Sequence, residues 1–401
     1  MGNAKAKNNR WKSIRKWTND IHLWLGLISG IILFIVCLTG TIYTFSSEIK
    51  EFLDPDSYHV QYSVDQQPIA AETLASITAE TYGGEIVAVT VPYKKRKAYG
   101  VVLKKDGDKR GTTHYIDQYT GELKGDGKGA VADFFMTVFR LHRWLALDIH
   151  IGRPIVGVAT IIFLLMLVSG MVIWVPNKIK YWKQGLKIKT KASFKRLNHD
   201  LHNALGFYAF VLMFVMGCTG LTWSFDWYKD GMSSILRTEV FSRKKMEAKS
   251  YAEISNPQAV SIEEILSSAE TVLLYQGDYR ISLPQDEEDV FTVSKNQVGF
   301  FAFSGTDNLI FDQYSGEIIQ KDIFSEKAFN EKLAASIKPL HMGYIFGTFS
   351  KILYFISCLI ATSLPVTGTI IWANKLKKKR RKKGGKKTRQ KPREATPSEA
   401  A

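Results

Sequence analysis

Leu23–Ser47 reads LWLGLISGIILFIVCLTGTIYTFSS, 25 residues without a charge. A helix needs about 20 such residues to cross ~30 Å of hydrocarbon, and a buried helix of a soluble protein seldom runs past about 14. Three further runs have the same character: Ile155–Pro176, Leu201–Phe225 and Ile352–Asn374. The average composition of the 401 residues, 45% hydrophobic and 23% charged, would suit a soluble enzyme. It is the concentration of apolar residues into four blocks that decides, and the chain is expected to be an integral membrane protein with four spanning helices. The first run is longer than the ~7–15-residue apolar region of a cleaved signal. It runs directly into Glu48-Ile49-Lys50-Glu51 with no small-residue cleavage site, so it reads as a retained anchor.

Charge sets the expected orientation. Residues 1–19 carry six Lys/Arg and no acid, and residues 176–196 carry eight and no acid. Residues 374–401 carry thirteen against Glu394 and Glu399, in a chain whose net charge is only +16. Short cationic flanks stay in the cytoplasm. Both termini and the middle loop are therefore placed inside a bacterial inner membrane, and two long segments outside it. The basic tail fits attraction to anionic membrane lipids, with nucleic acid not expected as a partner. The expected order is a basic N-terminus (1–19), a first span (20–47), a first periplasmic lobe (48–140) and a second span with its preceding segment (141–176). A basic loop (177–198), a third span (199–226), a second lobe (227–338), a fourth span with its preceding segment (339–374) and a disordered basic tail (375–401) complete it. The three cysteines, Cys37, Cys218 and Cys358, all fall inside spans. The lobes thus have no disulfide framework, and the chain has no CxxCH for covalent haem and no thiolate cluster for iron–sulfur.

The chain repeats itself. Asp20-Ile21-His22-Leu23, Leu25-Gly26, Thr39-Gly40 and Phe45 recur at an offset of 180 as Asp200-Leu201-His202-Asn203, Leu205-Gly206, Thr219-Gly220 and Phe225. Val168, Gly170, Ile173 and Trp174 recur at an offset of 198 as Val366, Gly368, Ile371 and Trp372. Upstream stand Leu141-His142 and Leu340-His341, one residue out of that register. Asp117-Gln118-Tyr119-Thr120-Gly121-Glu122 returns at an offset of 195 as Asp312-Gln313-Tyr314-Ser315-Gly316-Glu317, each a tight turn between strands with glycine supplying the permissive backbone. Helical stretches (Ala70–Tyr82, Ile262–Leu274) and alternating runs (Ile86–Pro92, Tyr99–Leu103; Tyr279–Pro284, Asp289–Ser294) precede the turns. Each half is thus expected to be helix, small α+β lobe, helix, in a two-fold internal duplication around a four-helix transmembrane bundle.

Four of the eight histidines, His22, His142, His202 and His341, flank spans at positions that the repeat matches. An imidazole near hydrocarbon needs a partner and is a functional candidate by default. His22 and His202 fall at the inner ends of helices running the same way, His142 and His341 at the outer ends of the two running back. In an up-down-up-down bundle parallel helices are diagonal neighbours, so each pair faces across the core. Such a pair can fill both axial positions of a b-type haem, the iron being the bound metal. Gly26, Gly30 and Gly206 leave room for a porphyrin, or equally let helices approach closely. Two histidines alone make a poor zinc site, and no carboxylate lies within the spans to complete one. Substitute ligands are His199, three residues before His202, and His150 in Asp148-Ile149-His150. Residues 142–174 would span ~48 Å as one helix, so Pro154 is expected to break the path. His59 and His114 are expected at the lobe surface. No nucleophile–base pattern, phosphate loop or dinucleotide fingerprint is present, and catalytic residues remain unassigned.

Over residues 12–375 the chain resembles the PepSY-associated transmembrane helix family of iron-regulated membrane proteins. The residues that carry the resemblance are His22-Leu23-Trp24-Leu25-Gly26 with Thr39-Gly40, Leu141-His142-Arg143 with Gly152-Arg153 and Ser169-Gly170, Asp200-Leu201-His202 with Thr219-Gly220, and Leu340-His341 with Gly343, Gly347, Thr367-Gly368 and Trp372. The two Asp-Gln-Tyr-(Thr/Ser)-Gly-Glu turns are similar to the hallmark of PepSY lobes. The resemblance implies two b haems and delivery of electrons outward to ferric siderophores, as in di-haem ferrioxamine reductases, with a quinol or a cytoplasmic reductase as donor. His150 departs from the family's usual pattern. Two haem-free readings stand beside this one: a membrane-anchored PepSY module that binds peptides or a protease, and a siderophore or metal transporter.

Overall fold

The computed structural model describes residues 2–108, 111–176, 178–241, 248–250 and 259–388. Among the described residues four helices are long and apolar enough to cross a membrane: Trp11–Thr44, Ile149–Trp174, Phe194–Ser224 and Gly347–Lys378. The chain divides into two compact units, with residues 1–38, 158–217 and 357–401 in one and 39–157 and 218–356 in the other.

In the first unit, segments of all four spanning helices pack around Leu167, Ala209, Met213 and Ala361, with Cys37 and Phe163 against them. Large apolar side chains also point outward, among them Trp24, Ile28, Ile31, Leu165, Val211 and Val366. Helices that are apolar on every face have no use for water on their outer side. The first helix extends back through the basic N-terminus to Gly2, and the fourth runs on to Thr388. Residues 375–388 were expected to be disordered; they continue the helix, because Lys and Arg are good helix formers and neither Pro nor a cap stops them before position 388. Residues 389–401 of the expected tail lie outside the described residues.

The second unit holds eight antiparallel strands: β1 (Glu85–Val91), β2 (Tyr99–Lys104), β3 (Thr112–Ile116), β4 (Leu123–Gly125), β5 (Tyr279–Ser282), β6 (Val290–Asn296), β7 (Thr306–Asp312) and β8 (Ile318–Asp322). Their order is β4-β3-β2-β1-β5-β6-β7-β8. The two expected lobes are therefore not separate: β1 pairs with β5 from Ala88↔Ser282 to Val91↔Tyr279 and joins them into one sheet. The join removes two exposed strand edges and pools two small cores. Helices Ala71–Tyr82 and Ile262–Val272 lay Leu74, Ala75, Ile265 and Ala269 against Val89, Val101, Ile281, Val293 and Phe311. Both repeated turns form as read. Asp117 Oδ1 accepts the N–H groups of Tyr119 and Thr120, Asp312 Oδ1 those of Tyr314 and Ser315, and Gly121 and Gly316 take φ of 73° and 69°.

Two placements differ from expectation. The break ahead of the second span is not at Pro154, which lies inside helix Ile149–Trp174. It comes earlier, where Leu145 and Ala146 adopt left-handed backbone (φ 57° and 55°) after helix Ala130–Trp144. Asp148 then starts the next helix, its Oδ1 accepting the His150 N–H at 2.8 Å. Pro154 is early enough to deprive only the His150 carbonyl of its i+4 donor. Gly152 lies directly against the Trp144 carbonyl, an approach that any side chain would block. His142 thus sits on a separate helix. His341 does likewise, on Phe329–Met342, which ends at left-handed Gly343 before the fourth span begins at Gly347. The second difference is His114, which is buried and stacks on Tyr82 at 4.1 Å. His59 is half-exposed beside Glu51, 3.2 Å away.

Candidate functional site

Both histidine pairings expected from the repeat are present as facing rings. His22 and His202, in the first unit, have ring centroids 6.4 Å apart with planes at 89°. His142 and His341, in the second, lie 6.3 Å apart at 55°. Imidazole nitrogens bind a metal at about 2.0–2.1 Å. A ring centroid stands about 1.1 Å behind its nitrogen, so two imidazoles sharing one metal in line have centroids about 6.3 Å apart. Both pairs have this spacing.

Each ring has its Nδ1 held by a neighbouring helix. His22 Nδ1 lies 3.1 Å from the Met166 carbonyl and 3.0 Å from Ser169 Oγ. A carbonyl only accepts, so His22 donates from Nδ1. His202 Nδ1 lies 2.8 Å from Thr367 Oγ1, whose own proton goes to the Ser363 carbonyl at 2.9 Å. That hydroxyl therefore accepts from His202, and both rings keep Nε2 as the basic nitrogen. His142 Nδ1 meets Thr39 Oγ1 at 3.4 Å, and His341 Nδ1 meets Thr219 Oγ1 at 3.2 Å. A hydrogen bond of this kind fixes the tautomer and orientation of a metal-ligating imidazole.

The residue after each hydroxyl is a glycine, and each ring lies over it. A Cβ built on Gly170 would stand 3.4 Å from His22 Cε1, and one on Gly368 3.4 Å from His202 Cε1. On Gly40 and Gly220 it would stand 3.1 and 2.9 Å from the Cε1 atoms of His142 and His341. Ser169-Gly170 and Thr367-Gly368 are 198 apart, and Thr39-Gly40 and Thr219-Gly220 are 180 apart, the offsets of the sequence repeat. The repeat had shown these four dipeptides without assigning them a task. Their place one step from each of the four paired rings is the feature that sequence reasoning missed; their recurrence at 180 and 198, the offsets of the spans that carry them, was the signal.

Around the first pair is an apolar cleft of about 240 Å3, lined by Gly26, Gly30, Phe163, Met166, Gly206 and Phe210. Gly26 and Gly30, expected to leave room, do line this space, and Gly206 does too. Asn19, His199, Asn203 and Lys375 also line it. His199 is exposed, 3.7 Å from Asp200, and His150 is exposed near the start of the second span; neither is a member of the two facing pairs. Trp223 flanks the second pair, its ring 5.1 Å from that of His341. Among the described residues no group of three or more His, Cys, Asp or Glu is gathered, so a zinc-type donor set is not formed there.

The family described as the PepSY-associated TM region matches residues 20–375, and the chain belongs to that family. With its four apolar helices, it is a membrane protein. No curated protein sequence matches it.

Proposed function

We propose that this member of the PepSY-associated TM family is an inner-membrane di-haem b protein that passes electrons to ferric siderophores on the periplasmic side. One observation carries the reading: two imidazole pairs, each with ring centres spaced for a shared metal and each with Nδ1 engaged, in His22 and His202 as the donor that leaves Nε2 basic. His22 and His202 hold one haem and His142 and His341 the other. The glycine-lined cleft gives the first porphyrin its room, and Lys375 and Asn203 at its rim suit propionates. Haem, when bound, supplies one-electron chemistry at an iron held in a low-dielectric setting. The chain's own residues fix ring orientation, exclude water and set ligand basicity. Ferric iron arrives as substrate, and because chelators hold Fe(III) far better than Fe(II), its reduction releases the metal. The donor is a quinol or a cytoplasmic reductase. The same reading takes both termini as cytoplasmic, the sheet as two duplicated PepSY lobes, and lipid headgroups as partners of the basic segments.

The test is an optical spectrum of the purified chain, oxidised and after dithionite, with haem counted per chain. Two low-spin b haems are expected, falling to one in His22→Ala or His202→Ala. A folded chain that takes up no haem from a haem-replete host would overturn the reading and leave a peptide-binding anchor or a cofactor-free transporter. If haem is present but no ferric siderophore reoxidises it, the acceptor is another oxidant.

A further inference from the structure

The β6–β7 connection carries a feature that the haem reading does not use. In the first half of the repeat the corresponding β2–β3 connection is Lys105-Asp106-Gly107-Asp108-Lys109-Arg110-Gly111, a charged hairpin tip. In the second half it is Gln297-Val298-Gly299-Phe300-Phe301-Ala302-Phe303-Ser304-Gly305. Phe300 is 53% exposed and Phe301 68%, and Phe349 packs against both, with ring centroids 6.2 and 5.1 Å away. Phe303 and Phe346 form a further pair at 5.5 Å. A loop that leaves such side chains outward in water forgoes the free energy of burying their exposed apolar surface.

The loop's backbone joins the start of the fourth spanning helix. The carbonyl of Gly299 accepts the Thr348 N–H at 3.4 Å, that of Phe300 accepts the Phe349 N–H at 3.0 Å, and the Ser304 N–H donates to Ile345. The first N–H groups of a helix have no partner within it, and near hydrocarbon they must find one. Here the loop supplies it. The level is set by the same helix. Its apolar run begins at Ile352, immediately after Lys351, which forms an ion pair with Glu48 at 2.5 Å. Residues 347–349 stand three to five positions beyond that boundary, or about 4–8 Å, which is the depth of the interfacial layer.

We propose that the 298–303 loop is an interfacial anchor, seating Phe300 and Phe301 among the headgroups and first acyl carbons of the leaflet that surrounds the fourth span. The occupant of this apolar surface is lipid, because the surface is continuous with a helix end that is itself at the membrane boundary. Interfacial elements bury an apolar face about 5–10 Å into that layer. The charged tip of the first half has no such seat and stays in water.

The test uses the full chain in lipid nanodiscs, with Cys37, Cys218 and Cys358 replaced by Ala and a nitroxide on Phe301→Cys or Asp106→Cys. Relaxation by oxygen, which concentrates in lipid, is compared with relaxation by a water-soluble nickel chelate. The expected result is an oxygen-to-nickel ratio several-fold higher at 301 than at 106. Equal ratios would overturn the anchor, and so would a label at 301 shielded from both reagents, which would mean that protein covers the loop. A label on Val298→Cys is the second measurement: Phe300→Ser with Phe301→Ser should move it from lipid-like to water-like. If that label does not respond, the phenylalanines do not hold the loop and the proposal fails.

Discussion

Thr367→Val removes the hydroxyl that accepts from His202 Nδ1 at 2.8 Å and keeps the shape of the side chain. A partner of this kind, removed from behind a metal-bound imidazole, typically costs 10–100-fold in metal affinity, or about 1.4–2.8 kcal/mol. The sign of the electronic effect follows from the same bond. An accepting oxygen on Nδ1–H raises the basicity of Nε2, which favours the oxidised iron more than the reduced. On the proposed function, its loss should therefore raise the midpoint potential of a haem held by His22 and His202. A tenfold weakening of the oxidised form alone would shift it by about 59 mV. Thr367→Ser keeps the hydroxyl and should stay within a few tens of mV of wild type on that scale. The assays are haem transfer to an apo-globin acceptor, followed optically, and a potentiometric titration. The outer pair should be unchanged in both, because its rings rest on Thr39 and Thr219. If Thr367→Val loses haem at the wild-type rate and keeps its potential, the hydroxyl does not hold His202. If Val and Ser shift equally, packing and not hydrogen bonding is responsible. Either result would refute the argument.

Gly220→Ala places a Cβ 2.9 Å from His341 Cε1, against an ordinary carbon contact of about 3.5–4.0 Å; on the di-haem proposal it should perturb the absorption or electron spin resonance of a haem held by His142 and His341, while Gly368→Ala, at 3.4 Å, should leave one held by His22 and His202 unchanged. Thiols placed at exposed Asp106 or Glu287 should react with an impermeant reagent added from outside the cell, and one at Gln184 should not; the reverse pattern would invert both the topology and the direction of electron flow. Burial pushes the His114 imidazole below its ordinary pKa, so this ring favours the neutral form when folded. The unfolded chain binds the proton more readily, and the stability contributed by the neutral ring is present above about pH 6.5 and is lost as pH falls through the folded pKa. Denaturant unfolding of the sheet should therefore show stability falling between pH 7.5 and 5, and His114→Phe, which preserves the stack on Tyr82, should flatten that slope.

What was legible in the sequence follows from how local each cause is. The spans are a property of 22–25 consecutive residues, and the repeated turns depend on Asp and Gly within six, so both could be read directly. The β1–β5 pairing could not, because it joins Val91 to Tyr279 across 188 residues and leaves no periodicity of its own. The corner at Leu145 and Ala146 is non-glycine backbone at positive φ, where the residue types give no warning. Proline is the usual breaker and Pro154 stands nearby, but the close approach at the corner is Gly152 against Trp144. The burial of His114 was available: it shares the phase of Ile116 on β3, and alternation puts both on the covered face.

The candidate site shows the same division more sharply. That His22 should meet His202 followed from matched positions on parallel helices. That each ring rests on a hydroxyl and a glycine from another helix did not, since Thr-Gly and Ser-Gly are common in spans and serve there to let helices pack. The structure distinguishes the two uses. A packing glycine faces a helix, whereas Gly40, Gly170, Gly220 and Gly368 face imidazole edges. A histidine that merely contacts headgroups would need no fixed tautomer and no opposite ring at 6.3–6.4 Å. One such coincidence could be incidental. Four rings, each with an engaged Nδ1, each over a glycine and each opposite another ring, support the proposal of two bis-imidazole centres. A Cβ added at the first glycines would stand 3.4 Å from the ring and at the second 2.9–3.1 Å, so a side chain there would crowd the second rings more. Substitution at Gly220 is for that reason the sharper probe of whether the second pair holds what the first does.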